Sequence, residues 1–242
     1  MASYIRIQYA SGLARALKEK RGRYCDLIRP VAPYLALCGN IVSPHDRKTA
    51  TPFFEWAADN FEVVWWVPGR VEVAGTSTSA SGVTGNIKEM YDFVNTTLNY
   101  NVHIANKLSK VYSTGAASFR MIGISQPSVI DDNTAGVVHA DGKPYTRDDL
   151  REIHQRDHSW IEKELAIHNL TISHRRGGTY MQPALILTAG YVQTDMHYSA
   201  NVCGDIRANI SGINDIRGKK AWYGTNNWEA PGYLPDKYVE MS

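Results

Sequence analysis

Several side chains in this sequence are of types that bind metals, anions or protons, and their spacing limits what they can do. Asp195, His197, Cys203 and Asp205 lie together in DMHYSANVCGD, four potential ligands at spacings of 2, 6 and 2. No familiar metal motif has those intervals, and the segment reads as a loop leading into a helix start. His174, Arg175 and Arg176 precede Gly177 and Gly178, making a compact basic loop able to touch phosphate or an acidic partner. The near-neutral charge of the whole chain favours a solvated loop there instead. His154 and His158 are four apart, the spacing at which two helical side chains can share a metal. No acidic motif accompanies them, and with His168 they read as surface histidines. Ser11 and Ser173 stand in no Ser-His-Asp arrangement that a sequence can define. Neither a Walker-type phosphate loop nor a dinucleotide fingerprint occurs. Trp65, Trp66, Trp222 and Trp228, with Tyr223 and Tyr233, are the kind of residues that anchor cores or protein interfaces.

The elements that must carry these residues alternate between strand and helix patterns. Ile5 to Tyr9 alternates apolar and polar residues as a strand does, and Leu13 to Arg21 suits a basic helix stopped by Gly22. Tyr34 to Cys38 (YLALC) and Glu62 to Val67 (EVVWWV) are continuous apolar runs, the mark of strands buried on both faces. Between them Thr51 and Pro52 predict the opening of a helix running to Asn60. Residues 75–85 (GTSTSASGVTG) predict a mobile surface loop, followed by helix spacing from Ile87 to Leu98. Phe119 to Ile124 reads as a strand and Asp131 to Tyr145 as loop. The clearest helix is Thr146 to His168, with Thr146 as its cap, acidic residues in its first turn and Leu150, Ile153, Trp160, Ile161 and Leu165 along one face. Ala184 to Thr188 (ALILT) is a further buried strand, and the last 20 residues read as an aromatic-rich, loop-like tail. This order predicts an α/β fold with parallel strand pairs in a single domain spanning residues 1–242.

Composition narrows the class. At 43% hydrophobic and 21% charged, the 242 residues have ordinary globular make-up. Twenty-six Lys and Arg against 24 Asp and Glu leave +2, which excludes the strong basic excess of a dedicated nucleic-acid domain. VVWWV, the densest apolar stretch, is far too short to cross a bilayer. MASYIRIQYA has no apolar signal region, so secretion is not expected. Cys25, Cys38 and Cys203 are few and odd in number, as reduced thiols of an intracellular, cytoplasmic protein are.

Five segments in order, RIQYASGLA, LALCGNI, WWVPGRVE, ALILTAG and AWYGTNN, resemble the signature blocks of the calcineurin-like metallophosphoesterases. That family carries D-x-H, G-D, G-N-H-E, a strand ending H-H, and G-H-x-H, each at a strand end, and the blocks together hold two metal ions. In RIQYASGLA, Gly12 and Ala14 stand where the family has Asp and His. LALCGNI carries Asn40 in place of the bridging Asp, and WWVPGRVE carries Arg70 and Val71 in place of Asn and His. In ALILTAG, Ala189 and Gly190 replace two histidines, and in AWYGTNN Thr225 and Asn227 replace the last two. LTISHRR is an alternative fourth block, one that keeps His174 as a ligand.

The resemblance implies a sandwich of two mixed β-sheets flanked by helices, shortened near residues 228–242, with a dismantled site. Two metals held roughly 3.5 to 4 Å apart need several carboxylate and imidazole ligands, and neutral Asn40 binds hard cations more weakly than aspartate. Arg70 brings a permanent positive charge to the same pocket, where it can pair with Glu72, fill the void, or make a metal-free anion site with Arg175 and Arg176. The hydrophobic strands kept their character while every block lost ligands. The resulting expectation is a catalytically inactive protein without a cofactor, serving a structural or interaction role among protein partners in an intracellular complex or a virus particle. Two alternatives stay open. One is an active phosphoesterase with a rebuilt Mn or Mg site at His174, Asp195, His197 and Asp205; the other is a phosphate- or nucleic-acid-binding module.

Overall fold

Five apolar residues in a row, Tyr34 to Cys38, leave no polar face, so the strand they form must be covered on both sides. In the computed structural model, which describes residues 5–74, 82–98, 101–114, 117–125, 138–174, 184–188, 221–224 and 238–241, this strand (β2) lies at the centre of the first sheet. Leu35 and Leu37 face one hydrophobic cluster, while Tyr34, Ala36 and Cys38 face another. Its neighbour β3 (Val63–Val67) divides the same way, with Val64 and Trp66 on one side and Trp65 and Val67 on the other. The period-2 alternation of a strand therefore splits one apolar run between two cores.

The first sheet has the order β4-β3-β2-β1-β9. Strands β1 (Ile5–Ala10), β2, β3 and β4 (Val102–Ile104) run parallel, and β9 (Tyr238–Met241) pairs antiparallel with β1. One face is packed by helices α1 (Ala14–Glu19), α2 (Arg47–Asn60) and α4 (Gly82–Thr97), through Leu17, Phe53, Phe54, Met90 and Phe93. The other face meets the second sheet, β5-β6-β7-β8, made of Leu108–Thr114, Ala117–Ile124, Ala184–Thr188 and Ala221–Gly224. In that sheet β5 and β6 are antiparallel, and β6, β7 and β8 are parallel. Trp65 forms an edge-to-face contact with Phe119 across the two sheets, at a centroid distance of 5.9 Å. The long helix α5 (Arg147–His174) covers the outer face of β6, where Arg120 lies 3.9 Å from Glu164. The result is a sandwich of two mixed sheets with helices on both outer sides, as expected.

Several local expectations need correction. Helix α2 starts at Arg47, not at Thr51, because Asp46 caps it by accepting the Thr49 N–H at 3.3 Å. Pro52 lies inside the helix, and Lys48, whose carbonyl it cannot serve, is exposed to solvent. Residues 82–85, expected as loop, form the first turn of α4, and 75–81 lie outside the described residues. Gly82 fits that start because its φ is +58° and a Cβ there would meet the His139 carbonyl carbon at 2.6 Å. The tail is not wholly loop-like: Tyr238–Met241 adds a strand to the edge of the first sheet. Leu170 to His174 forms the last turn of α5, so LTISHRR is not a strand end, whereas Ala184–Thr188 is a strand between β6 and β8.

Candidate functional site

Three loops leave the carboxyl ends of the parallel strands β1, β2 and β3, and backbone contacts tie them together. Gly12 N–H donates to the Gly39 carbonyl at 3.1 Å, and Ala14 N–H donates to the Asn40 carbonyl at 3.0 Å. Gly39 and Asn40 turn β2 sharply, with successive φ values of +74° and +54°. Asparagine is among the few non-glycine residues that adopt this left-handed region at modest cost. Gly69, after β3, sits against that turn so closely that a Cβ would lie 2.7 Å from both Asn40 N and Gly39 Cα.

Glu72, in the short helical turn α3 (Arg70–Val73), fastens the second loop to the third. Its side chain is fully buried. One carboxylate oxygen accepts the N–H groups of Asn40 at 2.9 Å and Gly69 at 2.8 Å. The other accepts Ile41 N–H at 2.6 Å, Val42 N–H at 3.2 Å and the Trp66 indole N–H at 3.3 Å. Burial pushes the carboxyl pKa up, and the amide and indole donors pull it back down without cancelling the shift. Glu72 stands three residues after Gly69, the spacing at which a glutamate reaches back to the N-cap N–H of a helix. That spacing is a sequence signal of its role. Its carboxylate oxygens are occupied by main-chain and indole donors, and a pairing with Arg70, one of the roles open to that residue, is not among its contacts; Arg70 itself is half-buried beside it.

Asn40 completes the junction. Its Oδ1 accepts the Val71 N–H at 3.0 Å, so the amide faces the neighbouring loop's backbone. The structure brings Gly12, Ala14, Asn40, Arg70 and Val71 to adjoining strand ends. Gly12, Ala14 and Val71 offer no metal-binding side chain, Asn40 and Glu72 spend their oxygens on backbone amides, and the guanidinium of Arg70 is cationic. This set does not fit a pair of divalent cations. Ala189, Gly190, Thr225 and Asn227 follow β7 and β8 and lie outside the described residues, as do Arg175, Arg176, Asp195, His197, Cys203 and Asp205. Of His174 only the helical backbone is described. Among the described residues no group of three or more His, Cys, Asp or Glu is placed to hold a metal ion, and no helix is long and apolar enough to cross a membrane.

No family model matches this chain, and no curated protein does. Among solved structures it is similar to the crystal structure of phosphopantetheinyl hydrolase (PptH) from Mycobacterium tuberculosis, with 14% identity and a TM-score of 0.42. The match covers 78% of this chain and 69% of that one. At that score the likeness carries no argument about activity.

Proposed function

We propose that this chain is a metallophosphoesterase-fold protein that has given up its metal chemistry and serves as a structural or interaction component of a larger assembly. One observation carries the reading: the polar side chains at the ends of β2 and β3 are turned on each other's loops. Asn40 Oδ1 takes the Val71 N–H, and both Glu72 oxygens are filled by main-chain and indole donors. Groups that coordinate a metal or a substrate need acceptor capacity left over, whereas both Glu72 oxygens are filled and Asn40 Oδ1 is turned to the neighbouring loop's backbone. On this reading the strands serve as a scaffold, and the side chains at their ends hold the loops instead of a ligand.

Metal analysis of the purified chain after dialysis against Mn²⁺, with hydrolysis of a generic aryl phosphate, tests the chemical half. The expected result is substoichiometric metal and a rate that added Mn²⁺ does not change. Stoichiometric metal with metal-dependent turnover would instead establish a rebuilt phosphoesterase site. The assembly half is read from the size at which the chain migrates in a native extract of its source. Migration as a 27.0 kDa monomer contradicts it.

A further inference from the structure

A cleft of about 520 Å³ opens beside Val73, at the end of α3, between the first turns of α4 and α5 and the turns that follow β4 and β6. Its volume lies in the range of small-molecule sites. Val83 and Ile87 of α4 and Leu150 and Ile153 of α5 supply apolar walls, and Asn106 and Ser125 supply neutral polar groups. The hairpin before α5 adds a flat aromatic surface, because the His139 ring stacks on Tyr145 with centroids 3.9 Å apart and planes inclined by 22°.

The charged groups divide by accessibility. Asp157 is the buried one, with its side chain only 4% exposed, and it is engaged by Lys107 at 3.1 Å and by Arg156 at 3.7 Å. Those two cations stay open to the cleft, at 38% and 62% exposure. Asp149 is also committed: one of its oxygens accepts the Thr146 N–H at 2.7 Å and the Thr146 hydroxyl at 2.6 Å, and lies 3.3 Å from His139 Nε2. Glu152 is the remaining carboxylate and is exposed. Lys107 holds a left-handed backbone, φ +54°, an arrangement that costs a residue of this type energy and survives where its surroundings fix it. A ligand entering the cleft meets Lys107 and Arg156 as exposed cationic donors above the buried Asp157, with Asp149 held by Thr146 and His139 and Glu152 exposed.

We propose that this cleft binds a small molecule that joins an anionic group to an aromatic ring, the anion meeting Lys107 and Arg156 and the ring lying against the His139–Tyr145 pair and the apolar walls. Among the described residues Val73 is where the cleft borders the third strand-end loop, and the proposal does not depend on the reading of those loops. The probe is phenylphosphonate, followed by isothermal titration and by chemical-shift mapping on the full chain, with benzoate, inorganic phosphate and benzyl alcohol as comparisons. Phenylphosphonate or benzoate should shift resonances of the cleft residues, while inorganic phosphate and benzyl alcohol bind more weakly, each lacking half of the contacts. Arg156→Gln removes an exposed cation without unpairing Asp157 from Lys107, and it should weaken phenylphosphonate roughly tenfold, the loss of one charge-assisted hydrogen bond. Unchanged affinity in that variant, shifts mapping elsewhere, or no binding of either aromatic anion at millimolar concentration overturns the proposal. Inorganic phosphate binding as tightly as phenylphosphonate overturns the aromatic half of the ligand class.

Discussion

Replacing Glu72 by glutamine exchanges one oxygen for an NH2 group and reverses the polarity of part of the junction. If the glutamine carbonyl keeps the donors of Ile41, Val42 and Trp66, its NH2 group confronts the N–H groups of Asn40 and Gly69, which now sit at 2.9 and 2.8 Å from an acceptor. Each buried N–H left without an acceptor costs about 1–3 kcal/mol, while the neutral amide escapes part of the penalty for burying a charge. The net loss comes to about 3 kcal/mol, or roughly 6–12 °C in Tm for a chain of this size. Thermal unfolding followed by circular dichroism at neutral pH measures it, with Glu55→Gln on the exposed side of α2 as a control expected within about 0.5 kcal/mol of wild type. Hydrogen exchange should quicken at the amides of Asn40, Ile41 and Gly69. The sign of the pH dependence follows from the raised carboxyl: the folded chain holds a proton there that the unfolded chain has released. Wild-type stability therefore falls as pH rises from the unfolded pKa through the folded one, and Glu72→Gln lacks that slope. A Glu72→Gln protein as stable as Glu55→Gln would refute the assignment of the junction to this carboxylate.

Three further outcomes follow from neighbouring contacts. Gly69→Ala drives a Cβ to 2.7 Å from the Asn40 nitrogen and the Gly39 Cα, and should cost about 1–3 kcal/mol in urea unfolding; an unmoved midpoint contradicts the close approach. In a Cys203→Ser background, exposed Cys25 should react with a thiol reagent at once. Cys38, fully buried and with its thiol pushed up to about 12, should react only on unfolding, so two fast thiols contradict the buried strand. At the start of α5 the Thr146 hydroxyl and N–H, with His139, hold the Asp149 carboxyl below its ordinary value. Its contribution is present above the unfolded pKa and is lost as pH falls through the depressed one, so Asp149→Asn should remove that part of the acid loss of stability. An acid limb identical in the variant contradicts the cap.

The strands buried on both faces were the most legible part of the fold, because YLALC and VVWWV leave no polar register for an alternative. Strands β4 and β5 were hidden for the opposite reason. VHI is three residues long, and LSKVYST mixes Lys110 and Ser113 with its apolar residues at the edge of a sheet. The start of α2 was obscured because Thr51-Pro52 is a strong local signal, yet Asp46 supplies the cap. At the strand ends, the residue types already told that Gly12, Ala14 and Val71 could not ligate. The use made of Asn40 and Glu72 was not legible, since their partners come from loops about 30 positions away in sequence and only the folded sheet brings them together. The charged cleft was likewise out of reach, because Lys107 and Asp157 meet only when α5 packs beside the turn after β4.

Anomalous diffraction at the manganese edge, from crystals of the full chain soaked in Mn²⁺, reads directly whether the strand ends beside Asn40 and Arg70 hold metal. The expected result is side-chain density with no anomalous peak beside Asn40. Two peaks there roughly 3.5–4 Å apart, the separation of a working two-metal centre, would contradict it.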